Sequence, residues 1–502
     1  MNSQNTIIGF GAIIIMSLFF SGCMVGPDYA KPSAPTPAAY KEAGNWKQAQ
    51  PKDDAIRGKW WEIYDDQQLN GLEEQVNISN QNVLQAEAQF REAAAAVKVA
   101  RAGLFPTITA NPAYTESQAS QNLTTHSNAR GVSHVGAVTQ GLYNLPAEAT
   151  YMIDVWGAVR RSVEANSATA QASFADLENA RLSYQATLAQ DYFSLCGLDA
   201  EKQLLETSVA AFEKSLELTT NRYNGGIASK GDVAQARTQL DTTKAQLIDV
   251  GVQRAQFEHA IATLIGKPAS VFSLSETPLK STPPQVPLAL PSILLERRPD
   301  IAGAERRVAS ANASIGVQTA AYYPTLTLSG STGLEAIQLS ELFSGPSFFW
   351  SVGPVLAQTL FDAGKTHGQV QEAQANYEAT VAVYRQTALT AFQQVEDDLS
   401  GLRILEDEAV VEDEAVKSAQ QSLDIAMNQY KAGIQDYLTV ITAQTTALND
   451  EVTAANIRTR RMTASVLLIE AVGGGWDVSQ LPSSHGVADV PGAQAQIVKN
   501  KK

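Results

Sequence analysis

Two cysteines, Cys23 and Cys196, and five histidines, at 126, 134, 259, 367 and 485, are all that 502 residues offer to soft metals or redox chemistry. Neither set has the spacing of a zinc site, a CxxC pair or an HExxH helix, and two cysteines are too few for a disulfide scaffold. Cys196 lies in an apolar-periodic stretch and reads as a small buried hydrophobe. Positive charge is also short: 37 Lys and Arg stand against 52 Asp and Glu, a net charge of −15. A chain without clustered cations is a poor partner for nucleic acid. Catalytic patterns are missing as well. Gly473-Gly474-Gly475 does not follow a strand as a phosphate loop would, and the acidic run at 406–414 reads as a solvated helix face. The chain is therefore expected to be no enzyme and to need no cofactor or metal. Long apolar runs are absent beyond residues 7–20, and a mean hydropathy of −0.14 excludes a polytopic helical membrane protein. A membrane crossing would need strands.

What is present begins at the N-terminus. The apolar run 7–20 is followed at once by Ser21-Gly22-Cys23, which makes residues 1–22 an export signal. Small residues directly before a Cys resemble the bacterial lipobox, although position 20 is Phe and residues 1–22 hold no Lys or Arg. The resemblance implies N-acyl and diacylglycerol lipid on Cys23, which becomes the first mature residue. Met24 stands where an Asp would imply inner-membrane retention, so the lipobox implies the outer membrane.

Proline divides the rest. Residues 147–267 and 355–481 contain none, and Pro is costly inside a helix, by about 3 kcal/mol. Both tracts are rich in Ala, Gln, Leu and Glu and match each other. Asn221-Arg222-Tyr223-Asn224-Gly225-Gly226-Ile227 aligns with Asn428-Gln429-Tyr430-Lys431-Ala432-Gly433-Ile434, and Gly157 with Gly364, all 207 positions apart. Upstream, Leu104-Phe105-Pro106-Thr107-Ile108-Thr109 aligns with Tyr322-Tyr323-Pro324-Thr325-Leu326-Thr327, 218 apart, so the first copy carries a longer loop. The polar stretch 116–141 reads as that loop. Each copy reads as helix, two strands around a loop, long helix, tight turn, helix.

The long helices are expected over about 158–223 and 365–430, with apolar residues such as Tyr377, Val381, Tyr384, Ala388 and Phe392 at coiled-coil spacings of 3 and 4. Each is ~100 Å long at 1.5 Å per residue. Glycines at 225, 226 and 433 break them, and return helices are expected over about 230–265 and 436–472. The helix faces away from the seams are small and polar, which fits both a solvated coiled coil and the wall of a wet duct. The strands alternate. Ile108, Ala110, Pro112 and Tyr114 oppose Thr107, Thr109 and Asn111; Leu326 and Leu328 oppose Thr325, Thr327, Ser329 and Ser331; Phe348, Trp350, Val352 and Leu356 share a face. Half-buried strands alternate in the same way, but ten-residue segments of this kind are the mark of a membrane barrel. Four strands cannot close a barrel with a lumen, so several chains would have to pool them.

The expected organisation is signal peptide 1–22, lipidated extended segment 23–65, first repeat 66–277 (strands about 106–156, hairpin 158–266), Pro-rich linker 278–291, second repeat 292–476 (strands about 324–361, hairpin 365–472) and a loose polar tail 477–502.

The chain resembles the outer-membrane factor family of TolC-like efflux lipoproteins. The resemblance lies in Cys23-Met24-Val25-Gly26-Pro27-Asp28-Tyr29 at the mature start and in Lys59-Trp60-Trp61 with Leu69 and Leu72. It continues in Leu294-Leu295-Glu296-Arg297-Arg298-Pro299-Asp300-Ile301 and in the closing Ala471-Val472-Gly473-Gly474-Gly475-Trp476. It implies an α+β membrane protein with long antiparallel helical hairpins. Each chain would give four transmembrane strands to a trimeric twelve-stranded barrel, continued by a helical tunnel. It implies a passive exit duct in the outer membrane, anchored in outer-membrane lipid and reaching into the periplasm. The implied partners are two further copies of the chain, a periplasmic adaptor and an inner-membrane pump of the proton-driven resistance-nodulation-division kind. The matching adaptor-docking tips are Gly226, Ile227, Gly433 and Ile434. The matching periplasmic gate is Leu438, Thr439 and Thr442, with Tyr430 and Asp232 as a hydrogen-bonded latch; Thr439 and Thr442 stand where many relatives place Asp, and Gln435 where some place Arg. The alternatives are the exit duct of a type I protein-secretion system and a non-porous lipid-anchored coiled coil.

Overall fold

The computed structural model describes residues 24–43, 58–118, 120, 139–279, 281–284, 286 and 291–489. The signal peptide, Cys23 and the final residues of the expected tail lie outside this set. After a 3-10 turn at Trp60–Tyr64, the first half runs α1 (Gln67–Ser79), α2 (Gln81–Ala102), β1 (Thr107–Ala110), β2 (Ala113–Gln118), β3 (Thr139–Ile153), α3 (Ala158–Asn224) and α4 (Lys230–Leu264). The second half runs α5 (Pro291–Arg297), α6 (Pro299–Ala320), β4 (Thr325–Ala336), β5 (Phe348–Ala357), α7 (Lys365–Lys431) and α8 (Tyr437–Ala471). The two long helices have 67 residues each and the two return helices 35 each. None of the described helices is long and apolar enough to cross a membrane.

The strands form one antiparallel sheet in the order β1/β2, β3, β4, β5. β1 and β2 are one arm: Thr107 pairs with Thr150 and Ala113 with Asn144 in a single unbroken register on β3. The ladder lapses only at Asn111-Pro112, opposite Leu145 and Pro146, where two prolines lack the N–H that a ladder needs. Pairing continues into the stretch expected to be loop. Glu116, Ser117 and Gln118 pair with Gly141, Gln140 and Thr139, extending a ladder that the Tyr114–Tyr143 ring contact at 4.6 Å holds in register. Residues 119 and 121–138 lie outside the described set.

Helices follow the strands in the same lateral order. α3 packs against α2, α4, α6 and α8, and α7 against α6 and α8. In the first half α4 abuts α2. Asn80 caps α2 with its side-chain oxygen and donates its amide to Leu264 O at 2.8 Å, while Ser79 Oγ donates to Ile265 O at 2.7 Å. In the second half α8 abuts α6, with Arg298 Nη1 donating to Ala471 O at 3.0 Å. The glycine that ends each return helix, Gly266 and Gly473, has a positive φ of 68° and 99°, and a Cβ there would overlap the carbonyl oxygen of Ser79 or Arg297. The motifs around Arg298 and Gly473 thus meet at one joint. Gly474 lies against Leu182, and Trp476 is buried with Ala175 and Ala302.

The core is widest around these joints, where Trp60, Trp61, Tyr64, Tyr192, Phe193, Tyr384 and Phe392 come together. Cys196 is buried among them, and burial pushes its thiol up to about 12. Residues 24–43 form an extended strap across both halves. Val25 N donates to Trp156 O at 3.1 Å. Buried Arg161 donates to the Val25 and Gly26 carbonyls and binds Asp28 at 2.9 Å. Farther along, Tyr29 meets Glu305, and the Lys41 and Glu42 amides donate to Glu396. The tail expected to be loose is packed as far as residue 489. Val487 and Ala488 are buried, Gln171 donates to Pro482 O at 2.8 Å, and Arg101 donates to His485 O at 2.8 Å. Two small apolar residues in a polar stretch suffice to seat it, a signal too short to show as periodicity.

The joint yields a paired prediction. Gly364, at φ 88°, has open space where a Cβ would lie, so Gly364→Ala costs only left-handed strain, about 1–2 kcal/mol. Gly473→Ala adds overlap with the Arg297 carbonyl, a further roughly 1–3 kcal/mol. Urea midpoints of the detergent-solubilised variants should fall in the order wild type, Gly364→Ala, Gly473→Ala.

Candidate functional site

Two regions of the fold present chemistry to the outside: the hairpin tips and the sheet. At the first tip α3 ends at Asn224, Gly226 takes φ 77°, and Ile227 N returns to Arg222 O at 2.8 Å. Ser229 then caps α4 reciprocally, its Oγ accepting from Asp232 N at 3.1 Å while Asp232 Oδ2 accepts from Ser229 N at 2.8 Å. At the second tip Gly433 takes φ 75° and Ile434 N returns to Gln429 O at 2.9 Å. Here the cap is exchanged in type: Asp436 accepts from Thr439 N at 3.1 Å and from Thr439 Oγ1 at 2.8 Å. Those hydrogen bonds hold the Asp436 carboxyl below its ordinary range. Ile227 and Ile434 stand out at the two apices, 70% and 75% exposed.

Tyr430 and Tyr437 are buried under the tips, edge to face at 5.4 Å, and burial raises the Tyr437 hydroxyl. Both join the second hairpin to α3: Tyr437 shares a hydrogen bond with Ser215 at 3.2 Å, and Tyr430 donates to Thr219 at 3.4 Å. Within the chain, then, Tyr430 and Asp232 have other partners than each other, because Asp232 sits at the third helical position and serves the Ser229 cap. Leu438 and Thr442 share an exposed face of α8, and the Thr442 hydroxyl is spent on Leu438 O at 2.8 Å. Thr439 is turned into the cap, donating to Asp436 and accepting from Gln435 at 2.9 Å.

Arg222 is the residue that sequence reading missed. Its guanidinium donates to Tyr430 O at 2.8 Å and Lys431 O at 3.2 Å and lies 4.6 Å from the Tyr430 ring centroid. It caps the C-terminus of α7 from the neighbouring hairpin, where a cation complements the helix dipole. Its one trace in the sequence is a mismatch: the second copy has Gln429 at the matching position.

In the sheet, the register sorts every side chain. Ile108, Ala149, Gly330 and Val352 form one row; Ala110, Ala147, Thr332 and Trp350 the next; Leu145, Leu334 and Phe348 another. This face is almost wholly apolar, and Trp350 is 69% exposed on it. The opposite face carries Thr107, Thr150 and Ser329 in one row and Thr109, Glu148, Ser331 and Ser351 in another. Exposed Phe105, Tyr322, Tyr323, Leu360 and Phe361 surround the base of the sheet, where Trp156 stacks on Tyr323 at 4.6 Å. An apolar face ending in a belt of aromatic side chains is what a bilayer and its interface demand. Among the described residues β5 and the β1/β2 arm each pair on one side only.

The family model for "outer membrane efflux protein" matches residues 72–267 and 290–474. The chain belongs to that family. It is 27% identical over 468 residues to the probable efflux pump outer membrane protein TtgC of Pseudomonas putida, covering 93% of this chain and 95% of TtgC. It is 28% identical over 419 residues to the pyoverdine export outer membrane protein OpmQ of Pseudomonas aeruginosa, covering 83% and 87%. The solved outer-membrane channel OprN superposes with a TM-score of 0.84 at 28% identity, over 90% of this chain and all of that one. The fold is therefore the α+β fold of efflux channels. The protein is an outer-membrane component of an efflux pump in a Gram-negative bacterium.

The tip geometry predicts the effect of Arg222→Gln, which gives the first hairpin the residue of the second. Loss of two charge-assisted hydrogen bonds costs about 1–2 kcal/mol locally. Hydrogen exchange at the amides of Ala432, Gly433 and Ile434 should speed up roughly tenfold, with the middle of α7 unchanged. Equal exchange in both proteins would show that Arg222 does not hold this tip.

Proposed function

We propose that three copies of the chain close one continuous duct. The observation that carries this is the sheet: one face apolar, one polar, both edges open. Lipid admits no open edge, so the β5 edge of one copy pairs with the β1/β2 edge of the next. Three copies supply twelve arms. The same closure brings α7 of one copy beside α2 and α4 of the next, because helices and strands share one lateral order. The wall then continues ~100 Å into the periplasm.

In this reading Cys23 carries the lipid. Its neighbour Met24 is seated against Gly157 where the sheet meets α3, beside the aromatic belt, so acyl chains there reach the bilayer. Gly226, Ile227, Gly433 and Ile434 form the adaptor-docking surface: two exposed isoleucines per chain, each beside a glycine that lets a partner helix approach closely. Leu438 and Thr442 line the narrow periplasmic mouth with apolar groups, and Thr439 stiffens it through the Asp436 cap. Tyr430 and Asp232 steady the two hairpin ends around it. Small molecules are delivered through the adaptor by a proton-driven inner-membrane pump of the resistance-nodulation-division kind, and the duct itself does no chemistry.

The test is photo-crosslinking from Ile227 and from Ile434 in living cells, with mass spectrometry of what is captured. Both positions should capture a periplasmic adaptor encoded beside a proton-driven pump. Capture of a secretion-system adaptor instead would make the cargo a protein. Absence of any adaptor, while strand positions still crosslink neighbouring copies, would overturn the docking assignment.

A further inference from the structure

The five strands hold few ionisable side chains apart from tyrosines. They carry Glu116, Glu148 and Glu335, and no Asp, Lys, Arg or His. The register separates the three. Glu116 pairs with Gly141 and shares the apolar face with Tyr114, two residues beyond the tyrosine pair, at the far end of the hairpin. Glu148 pairs with Thr109 and Ser331 on the polar face. Glu335 pairs with Asn144 on that same face. Asn144 and Glu148 are four residues apart on β3, so the two carboxylates lie in tiers ~13 Å apart along the strands. Both glutamates are exposed, and neither has a cationic partner among the described residues. Glu148 has Thr109 and Ser331 beside it, Glu335 has Asn144, and the tier between them holds Pro146, Gly333 and Phe349, so no neighbour on this face neutralises a carboxylate. No group of described residues could hold a metal ion.

We infer that Glu148 and Glu335 make the strand-built part of the duct selective for cations, and for cationic or neutral cargo over anionic cargo. The inference rests on the three-chain duct proposed above. Closure would turn each position into a ring of three carboxylates on the lumen wall. Fixed charge of one sign inside a low-dielectric wall focuses the field, concentrates the opposite charge and repels its own. At the opposite end, Leu438 and Thr442 add no charge of their own to the mouth, and the carboxylates of Asp232 and Asp436 are engaged in helix caps. Charge selection is therefore placed at the outer-membrane end, where it acts on whatever the pump has already released into the tunnel. Two rings one above the other are passed in succession. With no second acidic group or metal-ligating side chain grouped beside them among the described residues of the chain, the carboxylates attract cations without caging them.

The experiment uses the full-length protein in planar bilayers under a tenfold KCl gradient. The wild-type reversal potential should report cation preference. Glu148→Gln together with Glu335→Gln should lower the cation-to-anion permeability ratio severalfold, while Glu116→Gln on the apolar face leaves it unchanged. An unchanged ratio in the double variant, or an anion-selective wild type, overturns the inference. A wild-type protein that assembles but conducts nothing overturns the duct reading and this one with it. A second readout does not depend on currents. Thr109→Cys places a thiol beside Glu148, and a cationic methanethiosulfonate should modify it several times faster than an anionic one. That bias should disappear in Thr109→Cys, Glu148→Gln, Glu335→Gln. Equal rates with both glutamates present overturn the inference.

Discussion

An N–H or C=O group left unpaired in hydrocarbon costs several kcal/mol, and the rest of this molecule follows from that constraint. A sheet of four arms satisfies its inner ladders and leaves two edges bare. In the proposed assembly further copies of the chain cover the edges, and those copies need matching flanks below the membrane. The helices supply those flanks because each strand arm runs into, or receives, a helix in the same lateral position. Residue type then follows from register. With the ladder fixed, each side chain takes one face or the other by its parity: the rows through Ile108 and Leu145 are apolar, and those through Thr107 and Thr109 carry hydroxyls.

The helical layer is not built from uninterrupted helices alone. Two of its four columns are made of two helices stacked end to end, α4 on α2 and α8 on α6. Each joint must dispose of unpaired carbonyls from the lower helix and unpaired amides of the upper one. The two halves do so differently with the same layout. Asn80 uses one side chain for both tasks; Arg298 serves the carbonyl of Ala471 and ties Asp300 and Gln394 into the joint. The glycines at 266 and 473 are needed because the chain leaves the lower helix in left-handed conformation with another backbone directly against it.

Much of this was legible in the sequence where the signal is local or repeated. The long helices end within a residue of where proline-free tracts and glycines place them, and the apolar and polar strand faces follow from parity. The likeness between the halves was legible because 207 separates so many landmarks. What was not legible depends on contacts far apart in the chain. The break at Asn80 has neither Pro nor Gly to announce it. The seating of Val487 and Ala488 rests on two residues. Arg222 acts on carbonyls 208 and 209 positions away, and backbone carbonyls leave no mark in a sequence. The polar partners of Tyr430 and Asp232 were likewise decided by helix-cap position and by a neighbouring helix, neither of which the local pattern states.

The N-terminal strap has a consequence for the order of events in biogenesis. Residues 25–29 are clamped by α3 and α6, and residues 41 and 42 by Glu396 on α7, a sequence separation of 355. This early segment of the chain can therefore be fixed only after most of the chain has followed. Contacts of such separation form late, since the loop they close must be ordered first. Under the proposed acylation of Cys23, this end would spend the whole of folding as a free tether, able to bring the unassembled chain to the bilayer before the sheet exists to enter it. Once α7 arrives, the same segment becomes a strap across both repeats. With the proposed lipid on Cys23, the strap would join that anchor to both repeats, and a pull on the helices would reach the membrane through it as well as through the strands.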